Sequence, residues 1–281
     1  MTGRSLVAAS ALVVAVLAGI GTAQGFDDSK YPNLKGQWDR VDPRGGFDQT
    51  RPTGRGQQAP LTPEYQAIFE ANLADQAQGG QGTAGDHARC LASGMPLMMV
   101  AFRPIEIVVT PELTYILIAD YDPLRRIFTD GRDWPKKHEP TYQGYSIGKW
   151  IDQDGDGRYD VLEVETRNFK GPRIYDVSGL PLHEDNESIF KERIYLDRGN
   201  PDVLHDEITV IDRALTRPWT VDKRYTRNAD PQAEWFEAIC EYNAQVFIGN
   251  EHYYMSAEGY LMPVKPGQAP PDLRYFSAPR K

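Results

Sequence analysis

The chain has 281 residues, is one-quarter charged and carries a net charge of −9. Its length allows one large or two small domains with a sizeable core. The acidic balance argues against nucleic acid and against anionic lipid as partners.

Residues 1–23 have the three parts of an export signal. Arg4 gives the positive start, an apolar stretch runs from Leu6 to Ile20, and Gly21-Thr22-Ala23 forms a small-x-small cleavage site. The apolar stretch is short for a bilayer span. A periplasmic or secreted mature protein is therefore expected, and not an integral membrane protein. Residues 24–103 form an N-terminal extension. A short opening strand near Gly36-Gln37-Trp38 is followed by loop. Thr62-Pro63-Glu64 then signals a helix start: a capping hydroxyl, proline at the first position and an acid in the first turn. Tyr65, Ile68, Phe69 and Leu73 follow at helical spacing, and Gly79-Gly80 ends the pattern.

From residue 104 to residue 230 the apolar period changes to two. Strands are predicted at 105–110, 113–121, 124–129, 143–151, 160–168, 188–197, 203–212 and 218–227, each rich in Ile, Val, Tyr, Thr or Phe. Eight strands with mostly short connections suggest an antiparallel up-and-down meander that hides its edges by closing into a barrel. Asp230-Pro231 reads as a second helix start carrying Trp235, Phe236, Ile239 and Cys240, and a Pro-rich tail completes residues 231–281. The fold class expected is thus mostly β, a barrel with two peripheral helices.

Only two cysteines are present, Cys90 and Cys240. In an oxidising compartment they are expected to pair. The bond would close a loop of about 150 residues and restrict the unfolded chain by roughly 4–5 kcal/mol. The alternative is a nucleophilic Cys90, with His87 three residues before it.

The most specific motif runs from Asp152 to Glu163. It matches the twelve-residue calcium loop, with Asp152, Asp154, Asp156 and Asp160 at positions 1, 3, 5 and 9, Gly157 at 6, Arg158 at 7 and Glu163 at 12. Calcium takes six to eight hard oxygens, which closely spaced aspartates provide. The flanks read as strands, so a structural calcium ion clamping a β-hairpin is expected, and no organic cofactor.

Six further residues are candidates for acid–base chemistry. His205, among Asp206 and Glu207, shares a strand face with Glu207 and Thr209, with Asp206 opposite; a histidine beside carboxylates can act as a general base. Alternation puts Glu192 with Phe190 and Ile194 on an apolar face, where a carboxylate needs a partner, and sends Arg193 to the other face. Glu106 stands on an otherwise apolar strand. Arg126 and the turn residue Arg132 complete the set, with the arginines stabilising developing negative charge. The chain also holds five Trp, fifteen Tyr and ten Phe, enough to line a site for a flat, apolar ligand. It has no glycine-rich phosphate loop, nucleophile elbow, zinc histidine pair or haem attachment motif.

Residues 90–245 resemble a bacterial family of exported proteins of uncharacterised activity. Three stretches carry the resemblance: Pro104 to Ile107 with Arg126 to Arg132, then Gly144 to Trp150, then Glu192-Arg193 with Pro218-Trp219-Thr220. The resemblance implies a lipocalin-like, calycin-type barrel, and Gly36-Gln37-Trp38 is similar to the Gly-x-Trp start of lipocalins. Many members of that family carry histidine where Tyr145 and Trp134 stand here, and a bare Gly-Asp turn in place of the calcium-type loop. The first two departures put any shared histidine chemistry in doubt for this chain, and the third implies that the metal loop is a structural elaboration of a hairpin.

Three readings of function follow. One is a cofactor-free lyase, hydratase or isomerase acting on a small apolar or aromatic metabolite. The second is a carrier for such a molecule. The third is a calcium-stabilised envelope protein with a packed interior. An open barrel with an inward carboxylate would favour the first, an open barrel without one the second, and a filled barrel the third.

Overall fold

A computed structural model describes residues 26–80, 82, 92–120, 124–236, 245–248, 251–255 and 260–271. The expected export signal and the expected Cys90–Cys240 bond lie outside these residues.

Nine strands close into a barrel in chain order. They are β1 (Gln37–Arg40), β2 (Ile105–Val109), β3 (Leu113–Ile118), β4 (Leu124–Phe128), β5 (Tyr145–Ile151), β6 (Val161–Arg167), β7 (Ile189–Leu196), β8 (Val203–Ile211) and β9 (Trp219–Arg227). Alternating side chains explain the closure. Thr114, Ile116 and Ile118 of β3, or Leu204, Asp206, Ile208 and Val210 of β8, all turn inward and are buried. Each fully buried isoleucine contributes roughly 1.5–3 kcal/mol. The short opening strand β1 makes the seam, pairing with β2 on one side and β9 on the other.

The sheet is not purely antiparallel, contrary to the expectation from the meander. β4 and β5 run parallel, through the pairs Ile127–Ser146 and Phe128–Ile147. A tight turn forces neighbouring strands antiparallel, whereas a connection of a dozen or more residues can return the chain to its starting end. Residues 129–144 form such a connection.

The first helix, α1 (Pro63–Ala77), starts where its capping signal stands: the Thr62 hydroxyl accepts from the Tyr65 N–H at 3.4 Å. It buries Tyr65, Phe69 and Asn72. The expected second helix is not formed among the described residues. Pro231 and Gln232 make a turn, and residues 233–236 have no regular structure. Trp235 and Phe236 remain more than 40% exposed, so the apolar side chains that would anchor a helical face are not buried there. A separate three-stranded sheet, β10 (Gln245–Ile248), β11 (Glu251–Met255) and β12 (Leu261–Pro263), was not foreseen. No helix among the described residues is long and apolar enough to cross a membrane.

The barrel is filled. Trp38, Ile105, Ile116, Ile118 and Phe190 are less than 2% exposed, and so are Phe47, Met95, Met99 and Tyr175, which come from connecting segments. Tyr225 of β9 donates to the Met99 carbonyl at 2.5 Å, and Arg173 donates to the Met95 carbonyl at 3.1 Å. Phe47, Tyr175 and Trp219 pack ring on ring at 5.0–5.2 Å.

Candidate functional site

The start of β5, the end of β6 and the start of β7 meet at one end of the barrel. Tyr145, Arg167 and Ile189 turn outward there, beside the inward Ser146, Thr166 and Phe190, and this outer rim is the mouth. A cavity of about 700 Å³ opens there, lined by Trp134, Lys136, Lys137, His138, Tyr145, Arg167 and Phe169 together with residues 185–189. Tyr145 is the centre of a ring stack. Phe128 lies 4.9 Å from it, nearly parallel, and His138 meets it edge-on at 4.6 Å. Trp134 stands 6.1 Å away. Two guanidiniums lie over the flanks of the stack, Arg132 at 3.8 Å over Phe128 and Arg167 at 4.8 Å over Trp134. Arg132 is held by Asp130 at 2.6 Å and reaches the Tyr145 hydroxyl at 3.4 Å. Phe128, Trp134 and Tyr145 are half-buried and His138 is exposed, and rings held against one another in this way can take a flat ligand at low entropic cost. Gly144 sets the position of Tyr145: its φ of +75° suits glycine, and an added Cβ would meet Phe169 at 2.4 Å.

One residue further in, the barrel carries charge. Arg125 of β4 makes a two-pronged ion pair with Glu192 of β7, and both are buried. The same guanidinium donates to Thr166 at 2.9 Å, and the Ser146 and Thr166 hydroxyls bond to each other at 2.8 Å. Asp206 of β8 is 1% exposed, and neither of its carboxylate oxygens has a hydrogen-bond partner. Lys223 of β9 is its cross-strand neighbour and donates to the Phe47 carbonyl at 2.9 Å. Burial, reinforced by the Glu192 charge, pushes the Asp206 carboxyl well above the usual range, against the pull of Arg125 and Lys223. Burial also draws Lys223 down to about 8, opposed by Asp206 and Asp176. Burial opposes the charge of Arg125, but Glu192 outweighs it and keeps the guanidinium firmly protonated.

The calcium-type loop is exposed. The carboxylates of Asp152, Asp154 and Asp156 approach within 4.8 Å of one another. Each also shapes the loop: Asp152 accepts from Gly155 and Gly157 at 2.7 and 2.9 Å, Asp154 from Asp156 at 3.3 Å, Asp156 from Arg158 at 2.8 Å. Asp160 accepts from the Gln153 N–H at 2.8 Å, and Glu163 faces Arg193 at 3.7 Å. The three aspartates are hard oxygen donors that suit calcium, whereas Asp160 and Glu163 are turned to other partners.

The six acid–base candidates do not converge. Only Glu192 points into the barrel. Glu106 sits at the β1–β2 seam and accepts from Gln37 at 3.2 Å. Arg126 and Arg132 share the Phe128 ring outside the barrel. His205 and Arg193 belong to an outer-face ladder. The His205 ring stacks on Tyr195 at 5.0 Å and meets Asp222 through Nδ1 at 3.0 Å, Tyr195 donates to Glu207 at 2.9 Å, and Arg193 lies 3.6 Å from Glu207.

Sequence reasoning passed over Arg125, Asp206 and Lys223. Their signal was the alternation itself, since each is flanked at i±2 by inward residues: Ile127 for Arg125, Leu204 and Ile208 for Asp206, Val221 and Tyr225 for Lys223. No protein-family model matches this chain, and no curated protein matches it either. The closed nine-stranded barrel is compatible with a lipocalin-like architecture.

Proposed function

We propose that this is an exported barrel protein that holds a small, flat, apolar or aromatic molecule at the mouth of its barrel. The observation that carries this reading is the cluster of Tyr145, His138 and Trp134, backed by Phe128, lining an open cavity of about 700 Å³. The filled interior is the outcome expected of the packed envelope protein and leaves no ligand space along the barrel axis, so the ligand-holding reading rests on the cavity at the mouth. Tyr145 and Trp134 stand where relatives in the resembling family carry histidine, which favours holding a ring over histidine chemistry. A structural calcium ion at Asp152, Asp154 and Asp156 belongs to the same proposal. The test is to mix the mature protein with an extract of aromatic and apolar metabolites and follow bound and free fractions by mass spectrometry. A compound retained unchanged by the wild type, and lost by Tyr145→Ala, supports carriage. Equal retention by both proteins overturns the mouth as the site.

One observation favours a second, catalytic reading. Buried, unpartnered carboxyls with displaced titration cluster at active sites, and Asp206 is one, next to the Arg125–Glu192 pair. Cofactor-free lyase or isomerase chemistry would use Asp206 or Glu192 as the acid or base, with Arg125 stabilising negative charge. A compound consumed by the wild type but untouched by Asp206→Asn would support it. Full turnover by that variant would end it.

A further inference from the structure

Resting on the reading of the mouth as a ligand site, we infer that the molecule held there is an aromatic anion whose acidic group faces Lys136 and Lys137. The argument is a charge account of the cavity wall. Arg167 is neutralised by an ion pair with Glu165. Asp185 is neutralised by Arg213 at 2.8 Å and lies 3.0 Å from His183. Asp130, behind Tyr145, is committed to Arg132. Lys136 and Lys137 pair with no described residue, and Glu187 is the one lining carboxylate left beside them. Among the lining residues two lysines against Glu187 leave a surplus of one positive charge, with Asp133 and Glu139 next to them on the same connection but off the lining, in a chain whose net charge is −9.

The placement of that charge matters as much as its sign. Lys136, Lys137 and His138 follow Trp134-Pro135 on the 129–144 connection, and the cations line the same cavity as Trp134 and Tyr145. A neutral hydrocarbon would leave the two ammoniums unanswered. An aromatic carboxylate would lay its ring on Tyr145 and Trp134 and offer its oxygens to the lysines. Hydrated lysine ammoniums act here as point charges and not as a fixed fork, so the group they favour is a single anionic centre and not a particular geometry. Two exposed ion pairs of this kind give about a tenfold preference at low salt, screened away at high salt.

The experiment compares two probes of one shape, 2-naphthoate and the neutral 2-naphthylmethanol, by titration calorimetry at low ionic strength. The protein is the mature chain, as wild type and as K136M/K137M. The wild type is expected to bind naphthoate about tenfold more tightly than the alcohol, and the double variant to bind the two alike. Equal affinities in the wild type would overturn the anion inference and leave the pocket standing. A preference that survived K136M/K137M would overturn the assignment to these lysines. Failure of both probes to bind would overturn the pocket reading, and the inference with it.

Discussion

Replacing Arg125 by methionine tests what the charge inside the barrel does for the fold. Arg125 and Glu192 are 1% and 2% exposed, so neither can turn to water when its partner is lost. Arg125→Met deletes both prongs of the ion pair and the hydrogen bond to Thr166, and leaves the Glu192 carboxylate buried near Asp206. Removing one member of a buried pair costs about 3–5 kcal/mol, because the survivor keeps its full desolvation penalty. For a domain of this size each kcal/mol lowers Tm by about 2–4 °C, so a fall of about 6–20 °C is expected. Glu192→Leu should cost less, since Arg125 keeps Thr166 at 2.9 Å and, without the Glu192 charge, Asp206 ionises more readily beside it. The double variant Arg125→Met/Glu192→Leu removes both charges and should recover most of the loss, with a coupling of about 2 kcal/mol or more. Urea unfolding followed by tryptophan fluorescence, with linear extrapolation, gives all four stabilities. A loss below about 1 kcal/mol for Arg125→Met, or strict additivity in the double variant, would refute the reasoning.

Three further outcomes are expected. Lys223 is drawn down by burial to about 8 from an ordinary value near 10.4. The unfolded chain therefore takes up that proton first, and stability should fall by on the order of 3 kcal/mol as pH drops from about 10.5 to 8. Lys223→Met should lack this slope in a series of melts between those limits, and identical slopes would sink the idea. Calcium at about ten times its Kd should stabilise the mature protein by about 1.4 kcal/mol, or roughly 3–6 °C, and a chelator or Asp154→Ala should remove the gain. A Tm unmoved by calcium would make the loop a metal-free turn. Gly144→Ala should cost about 1–3 kcal/mol through its φ of +75° and the clash with Phe169, and should weaken naphthoate binding at the mouth. Unchanged calorimetry would show that Gly144 does not set the ring wall.

Much of the barrel was legible because alternation is a local signal. Each predicted strand could be read from a handful of consecutive residues, and the opening strand at Trp38 from its flanking glycine. Pairing is not local. Nothing in 124–128 or 145–151 says that these strands lie parallel, since the ladder has two residue pairs and the choice is made by the path of residues 129–144. The C-terminal helix differs in another way. Asp230-Pro231 carries a capping signal, but a cap forms a helix only where a face can be buried; Trp235 and Phe236 stay exposed outside any helix, and the rest of the expected helix lies outside the described residues.

The site was legible only in fragments, and the reason is chemical. The search for acid–base groups favoured residues that look conspicuous in sequence, such as a histidine between acids or an arginine in a turn. Those residues are conspicuous because they sit on faces that tolerate charge. His205, Arg193 and Arg132 lie on the outside, held in exposed or half-exposed pairs of small energetic weight, and Arg126 lies there against the Phe128 ring. The costly charges are the ones hidden in an apolar alternation, where Arg125, Asp206 and Lys223 occupy positions that a stable core would fill with hydrocarbon. Of the predicted set only Glu192 met that criterion, and it was singled out for that reason: a carboxylate on an apolar face. Applied to every strand, the same criterion finds Arg125, Asp206 and Lys223 from sequence alone. The mouth could not be found that way, because Trp134 and His138 come from a connection with no period and meet Tyr145 only once the barrel has closed.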